Sequence, residues 1–486
     1  MAWQSVTDEA RPVSAKPIPG DSSGKQRLFP LHLSPIEIFM LADDQLGYPM
    51  SFAVKLWLSG TVDRTAFESA LAEALQRHPL LQALIKAGKG DLPCWMPAGD
   101  VWPDFDWGGE GTPIVCQRGE HIDLSKEIGL RLWVRQGTHG ANVLLQFHHA
   151  CCDGTGAYRF IGDLLAGYGI RTAVADQRPV LGSVEEKLLR TRKQHALGAG
   201  AATGSALRRL AIKEGWKILA NRPAVLAPPA AASCNGSPPL EFPGFLYSSF
   251  DRAEHQRLRD AAGRCGATLN DLLLRDLFLT MDRWNGRPWF WPRRGRLAIM
   301  MPTDQRDTED YEMPAANMTS YTFLMRRVHE CAAPEKLLRS IRNETALIKH
   351  QRSGTVFMET ILVGSKVRWL LPFLLSRNLC LATAVLSNAA DPSRRFTARF
   401  PRQSGRVVCG NLVLEEITGV PPLRRKTRAT FSISQYNHRL TISLRCDPRL
   451  FRSGDTRALL SLYVERLQQS AEIGQSAPNS SPARGC

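Results

Sequence analysis

Hydrophobic and polar positions along the first third of the chain switch between the period of a strand and that of a helix. "SFAVKLWLSG" (51–60) is a β-rich apolar run and predicts a strand. "DRTAFESALAEALQRHP" (63–79) places Phe67, Leu71, Ala74 and Leu75 at helical spacing and stops at Pro79, which predicts an amphipathic helix. "ANVLLQFHH" (141–149) reads as another strand, followed by a glycine-containing turn and the helical "AYRFIGDLLAGYG".

The same grammar recurs later. "FLYSSF" predicts a strand, "DRAEHQRLRDAAGRCG" a helix closed by glycine, and "TLNDLLLRDLFLTMDRW" a second helix with Thr268 and Asp271 as its capping pair. "RLAIMMP" reads as a strand, and "FSISQYNHRLTISLRCDP" as a hairpin turning at Asn437-His438. "SGDTRALLSLYVERLQQS" is a closing helix. Between these halves, "PAVLAPPAAASCNGSPPLEFP" (223–243) has no period and reads as a linker. The pattern is that of two α/β halves, with polar tails at 1–27 and 471–486.

Composition adds little to this and excludes more. With 43% hydrophobic and 22% charged residues among 486, a sizeable core is expected. No apolar h-region opens the chain, so no secretory signal is expected. "VRWLLPFLLSRNLCLATAVL" (367–386) is broken by Arg368, Pro372 and Arg377, and predicts a buried or interfacial helix rather than a membrane span. The 11 cysteines lack any C-x-x-C pair, which argues against a disulfide framework or a zinc ribbon and for reduced thiols in a cytoplasmic protein.

The net charge of +16 is spread over "KLLRTRK" (187–193), "LRRLAIK" (207–213), "PRRGR" (292–296) and "LRRKTR" (423–428). No nucleic-acid-binding signature accompanies these clusters. Residues 183–222 read as a basic amphipathic helix, a solvated face or an anion site. Arg190, Arg192, Lys193, Arg208 and Arg209 are its candidate ligands for coenzyme A phosphates, an acidic carrier or lipid headgroups.

Chemistry concentrates in "LLQFHHACCDGTGAYRF" (144–160). Adjacent strand residues face opposite ways, so His148 and His149 are badly placed to share a metal ion. A histidine beside a turn between strand and helix suits a general base, since its ordinary pKa of about 6.5 leaves neutral imidazole at cell pH. Asp153 either orients that imidazole or braces the turn through an arginine. Cys151 and Cys152 read as packing. The G-x-S-x-G match "GDSSG" (20–24) lies in the N-terminal tail, where no strand and helix could form a nucleophile elbow.

"HHACCDG" (148–154) resembles the HHxxxDG motif of the condensation-domain and acyltransferase superfamily, whose fold is chloramphenicol-acetyltransferase-like. "LSPIEIFMLADDQ", "RHPLLQALI", "GATLNDLLLRDL", "IMMPTDQR" and "RCDPRLF" are similar to further segments of that superfamily, over roughly residues 28–470. The nearest likeness is to wax-ester-synthase-like or alcohol-acyltransferase-like members.

This resemblance implies two α/β sandwich subdomains, 28–222 and 244–470, around a central active-site channel. It also implies His149 as the base, His148 and Asp153 as structural residues, Gly154 as the residue permitting the turn, and an Asp153–Arg306 salt bridge. The implied activity is acyl transfer from a coenzyme A or carrier-protein thioester to a hydroxyl or amine, without a bound cofactor or metal. The DFGWG signature of many peptide-forming condensation domains and of plant acyltransferases is absent from the second half, which favours a stand-alone acyltransferase, and a monomer is expected. The alternatives are an amide-forming condensation enzyme on carrier-bound substrates and a non-catalytic binding protein. Peripheral membrane contact stays open, and nucleic acid is not an expected partner.

Overall fold

The computed structural model describes residues 28–87, 93–192, 222–229, 240–286, 295–351, 361 and 379–473. In the first half the elements are β1 (Leu31–His32), α1 (Pro35–Asp43), β2 (Ser51–Ser59), α2 (Arg64–Arg77), β3 (Ala83–Ala87), β4 (Pro93–Pro97), β5 (Asp104–Gly109), β6 (Leu130–Gln136), β7 (Gly140–His148) and α3 (Gly154–Thr172). The second half begins with β8 (Leu246–Phe250), α4 (Arg252–Arg264), α5 (Leu269–Asn285), β9 (Arg296–Asp304), β10 (Thr319–Arg327) and α6 (Pro334–Gln351). It ends with β11 (Ala384–Asn388), β12 (Arg402–Gln403), β13 (Arg406–Cys409), β14 (Leu412–Val420), β15 (Ala429–Tyr436), β16 (Arg439–Cys446) and α7 (Ser453–Ile473).

Local chemistry accounts for the element boundaries. Asp63 caps α2 by accepting from the Ala66 amide at 2.9 Å, and Phe67, Leu71, Ala74 and Leu75 are all buried on its inner face. Thr268 and Asp271 form a reciprocal capping box on α5. Asn437 and His438 take φ of 48° and 65°, the left-handed corner a two-residue hairpin needs, and β15 pairs antiparallel with β16 across them.

Among the described residues the strands form three sheets, ordered β1-β4-β3, β12-β13-β14-β2-β7-β6-β5 and β10-β9-β11-β15-β16-β8. One main hydrophobic core lies within the second half, and the other is centred on the first half but takes in second-half residues such as Met300, Ala316 and Tyr436. The architecture is thus the expected pair of α/β halves, with three departures in detail.

First, β12–β14 leave the second half and extend the first half's sheet, where Val413–Val420 pair with Ser59–Ala53 of β2. The Tyr436 hydroxyl ties this crossing to β15 by accepting from the Val407 amide and donating to the Leu414 carbonyl. A boundary at 223–243 therefore does not separate the two halves completely. Second, the described start of the supposed linker is packed. Leu226 is fully buried, Ala224 N–H donates to the Arg296 carbonyl, and Asn285 and Trp284 bond the Ala227 backbone. Third, in the run read as a buried or interfacial helix, Ala384–Asn388 form β11, a strand inside the second half's sheet between β9 and β15, while 367–378 lie outside the described residues. No helix among the described residues is long and apolar enough to cross a membrane.

Candidate active site

The histidine pair sits where β7 ends. Ser51 of β2 is the last partner of His148, and the His149 amide then donates to the Met50 carbonyl at 2.7 Å. The two imidazoles part company there. His148 is fully buried; its Nδ1 accepts from the Ala150 amide at 3.1 Å, which leaves the proton on Nε2, 3.3 Å from Asp44 Oδ2. Asp44 also meets His121 Nε2 at 2.8 Å. Burial alone would raise the Asp44 carboxyl, yet the His148 contact and the Met50 amide hold it below the usual range. His148 is therefore a tie between α1 and the motif turn.

His149 turns instead toward a cavity of about 670 Å³, part of it open to solvent, between the two halves. Phe39, Met40, Met50, Met300, Pro302 and Val385 make most of its wall apolar, and Thr319, Tyr321 and the Asp43–Arg424 ion pair add polar groups. The imidazole packs on Phe52 with ring centroids 5.1 Å apart. Desolvation pulls its pKa down to about 4, against a weaker upward pull from Asp153 and from its own carbonyl. At neutral pH the ring is uncharged.

Asn317, from the second half, fastens this ring. Its Nδ2 lies 2.7 Å from the His149 carbonyl and 3.1 Å from Nδ1, while its Oδ1 accepts from the Thr319 amide, which sets the amide's orientation. Nε2 is thereby the ring nitrogen left for the cavity. Nothing in the periodic pattern marks Asn317; the one available signal is a lone amide in the apolar run "PAANM" ahead of β10.

Asp153 braces the turn. Oδ1 accepts from the Gly156 amide at 2.8 Å, capping α3, and Oδ2 accepts from the Met318 amide, Arg306 Nη1 and Thr319 Oγ1 at 2.8, 2.8 and 3.2 Å. No described hydrogen bond joins it to His149. Burial would raise this carboxyl, but Arg306 and the two amides hold it below the usual range. Arg306 also bonds Asp304 and the Ala316 carbonyl, so it clamps the segment that carries Asn317.

Two expectations need correcting. Gly154 is not required by the turn: its φ is not left-handed, and a Cβ there would meet nothing closer than 3.9 Å. It lies on the cavity wall. The close approach belongs to Gly156, where a Cβ would sit 2.9 Å from the Ala316 carbonyl oxygen.

Of the anion site read at 183–222, Arg192 is not available as a ligand, and 193–221 lie outside the described residues. Its described part holds only a short 3-10 turn, Glu186–Arg190, with Arg190 exposed at its end. Arg192 is buried, bonded to both Glu37 oxygens at 2.8 Å and to the carbonyls of Leu189 and His32, so it has no free face for an anion. Lys193, Arg208 and Arg209 lie outside the described residues, as does "GDSSG". Among the described residues no cluster suits a metal ion. Cys151 and Cys152 are buried packing residues whose thiols are pushed up by burial, and Cys151 Sγ occupies the space a Cβ on Gly129 would need.

No family model matches the chain. An uncharacterised protein found in two strains of Mycobacterium tuberculosis is 26% identical over 369 residues, covering 72% of this chain and 78% of its own length. Among solved structures, a trichothecene 15-O-acetyltransferase from Fusarium sporotrichioides is similar with a TM-score of 0.66 at 12% identity, over 90% of this chain and 94% of that one. The first condensation domain of the calcium-dependent antibiotic synthetase, in complex with a substrate analogue, gives 0.63 at 12% identity, over 91% and 96%. The starter condensation domain of rhizomide synthetase, in complex with C8-CoA and Leu-SNAC, gives 0.59 at 14% identity, over 93% and 97%. Likeness at these identities speaks for architecture: the chain has the two-subdomain, chloramphenicol-acetyltransferase-like fold seen in these condensation domains and this acetyltransferase.

Proposed function

We propose that the protein is an acyltransferase that moves an acyl group from a thioester, of coenzyme A or of a carrier protein, to a hydroxyl or amine acceptor. His149 is the general base. Its Nε2 takes the acceptor proton as the acceptor oxygen or nitrogen bonds to the thioester carbonyl carbon. The tetrahedral intermediate then breaks its C–S bond, and the imidazolium returns the proton to the departing thiolate. The observation that carries this reading is an uncharged, second-half-anchored imidazole on the wall of an otherwise mostly apolar cavity. Cys151 and Cys152, buried and protonated, offer no covalent acyl-enzyme route.

The test is thiol release from a panel of acyl-coenzyme A donors against alcohols and amines. Acceptor-dependent release supports the reading, and release with no pair overturns it. Amide-forming condensation on carrier-bound substrates is the second reading, supported by the condensation domains among the structural relatives. Amine acceptors that turn over only with carrier-bound donors would select it.

A base whose pKa is lowered to about 4 stays deprotonated, and so competent, well below the ordinary histidine range. The ascending limb of kcat/KM against pH is expected near pH 4 to 5 rather than near 6.5. A limb at 6.5 or above would contradict a desolvated base.

Action through Nε2 also requires the neutral proton to sit on Nδ1, shared with the His149 carbonyl. Asn317 Nδ2, facing Nδ1, pulls toward the opposite tautomer. Nitrogen-15 NMR of the folded protein should show Nδ1 protonated; a ring protonated at Nε2 alone would count against the base assignment.

A further inference from the structure

The buried His78 takes no part in the chemistry proposed at His149. It caps the C-terminal end of α2 and is 1% exposed. Its ring packs edge-on against Phe160 of α3, with centroids 5.5 Å apart, and its Nε2 lies 3.3 Å from Asp163 Oδ2. Arg77 Nε donates to the same oxygen at 2.6 Å, and Thr397 Oγ1 donates to Oδ1 at 3.3 Å. Burial would raise the Asp163 carboxyl, yet His78 and Arg77 bring it below the usual range, so a carboxylate faces Nε2.

The other ring nitrogen reaches into the second half. His78 Nδ1 accepts from the Ala315 amide at 2.8 Å, across 237 positions of chain. An acceptor there places the neutral ring's proton on Nε2, toward Asp163. Ala315 stands two residues before Asn317, whose side chain fastens the His149 ring. The backbone around it is pinned from other sides. Arg159 Nη1 donates to the Asp310 and Met313 carbonyls at 2.9 Å each, and Arg306 Nη2 to the Ala316 carbonyl at 2.7 Å. Ala315 is fully buried, so without the ring its amide is left unpaired away from solvent. An apolar ring would fill the space of His78 as well; only an acceptor meets this amide.

We infer that His78 is a positioning residue for the proposed reaction: by accepting the Ala315 amide it sets the backbone that aims Asn317 at His149. This rests on His149 acting as the base, and adds a residue that does not line the cavity. Asp163 keeps the ring in the tautomer that can accept, and Phe160 fixes its plane. A ring protonated at Nδ1 would set donor against donor at Ala315 and open the latch.

The experiment compares the wild type with His78→Gln and His78→Asn, each checked for folding by its thermal midpoint. The asparagine oxygen stands at the level of Nδ1 and can accept the Ala315 amide. The longer glutamine carries its own amide to the level of Nε2 and leaves Ala315 unpaired. The readouts are nitrogen-15 NMR of the His149 ring, and kcat with donor KM in the thiol-release assay. His78→Gln is expected to shift or broaden the His149 ring signals and to lower kcat by about 10- to 100-fold with donor KM nearly unchanged. His78→Asn should restore the wild-type ring spectrum and most of kcat. In an Asn317→Ala background, His78→Gln should cost less than about threefold more, because both changes break one chain of contacts.

Unchanged His149 signals in folded His78→Gln, failure of His78→Asn to restore them, or a full further loss on top of Asn317→Ala overturns the inference. So does a wild-type His78 ring protonated at Nδ1, which the same spectra report even where the glutamine variant does not fold. The NMR readout needs no turnover. A His149 ring that responds to His78→Gln and recovers in His78→Asn, while no donor releases thiol, would sink the proposed reaction and leave this positioning standing.

Discussion

His149→Ala is expected to lower kcat by about 10² to 10⁴ in a protein that still folds and still binds its donor. The size follows from what a positioned base contributes when nothing nearby can replace it. Among the described residues, the other histidines near the motif are committed elsewhere: His148 to Asp44 and the Ala150 amide, His121 to Asp44. Asp153 has both oxygens occupied by four donors and makes no described bond to His149.

His148→Ala should separate cleanly from it. That change strands the buried Ala150 amide and removes a partner of Asp44, a loss of about 1 to 3 kcal/mol, seen as a lower melting temperature with kcat nearly intact once folded. The acidic limb of the pH profile should vanish with His149 and persist without His148. A folded His149→Ala protein with near-normal kcat would end the acyl-transfer mechanism proposed here.

How much of this was legible from residues alone depended on how far apart in the chain the deciding contacts lie. The helix at 64–77 could be read because Phe67, Leu71, Ala74 and Leu75 decide it among themselves, and the 437–438 hairpin because two residues carry its turn. The divergence of His148 and His149 could be read for the same reason, since strand geometry alone separates them. The partners of these side chains could not. Asn317 reaches His149 across 168 positions, and Glu37 reaches Arg192 across 155.

Charge by itself does not say whether an arginine is solvated or buried against a carboxylate, so the 187–193 run looked no different from 423–428. Cavities decide between them, and cavities are made by distant elements. The return of 402–420 to the first sheet is of the same kind: its strands alternate like any others, and only pairing with β2 shows which sheet they join. Gly154 and Gly156 likewise look equivalent in sequence, and only the approach of Ala316 shows which one cannot carry a side chain.

Loss of Asp153 is expected to cost about 3 to 5 kcal/mol of folding stability, because it strands a buried guanidinium. The pair is drawn from both halves, 153 positions apart, with side chains 3% and 4% exposed. Asp153→Ala also removes the cap on α3 and leaves the Met318 amide without an acceptor, whereas Asp304 still faces Arg306 and softens the loss. Arg306→Met should cost at least as much, since it deprives Asp153 of its one charged hydrogen-bond partner among the described residues.

The pH dependence has a definite sign. Arg306 and the amides hold the Asp153 carboxyl below its unfolded value of about 3.9, so its stabilisation is complete above that pH and drains away as pH falls through the folded pKa. Denaturant titrations of wild type and Asp153→Asn should differ most at neutral pH and converge below about pH 4. Equal stability at neutral pH would mean that the ion pair does not hold the two halves together, and the fixed position of Asn317 against His149 would need another cause.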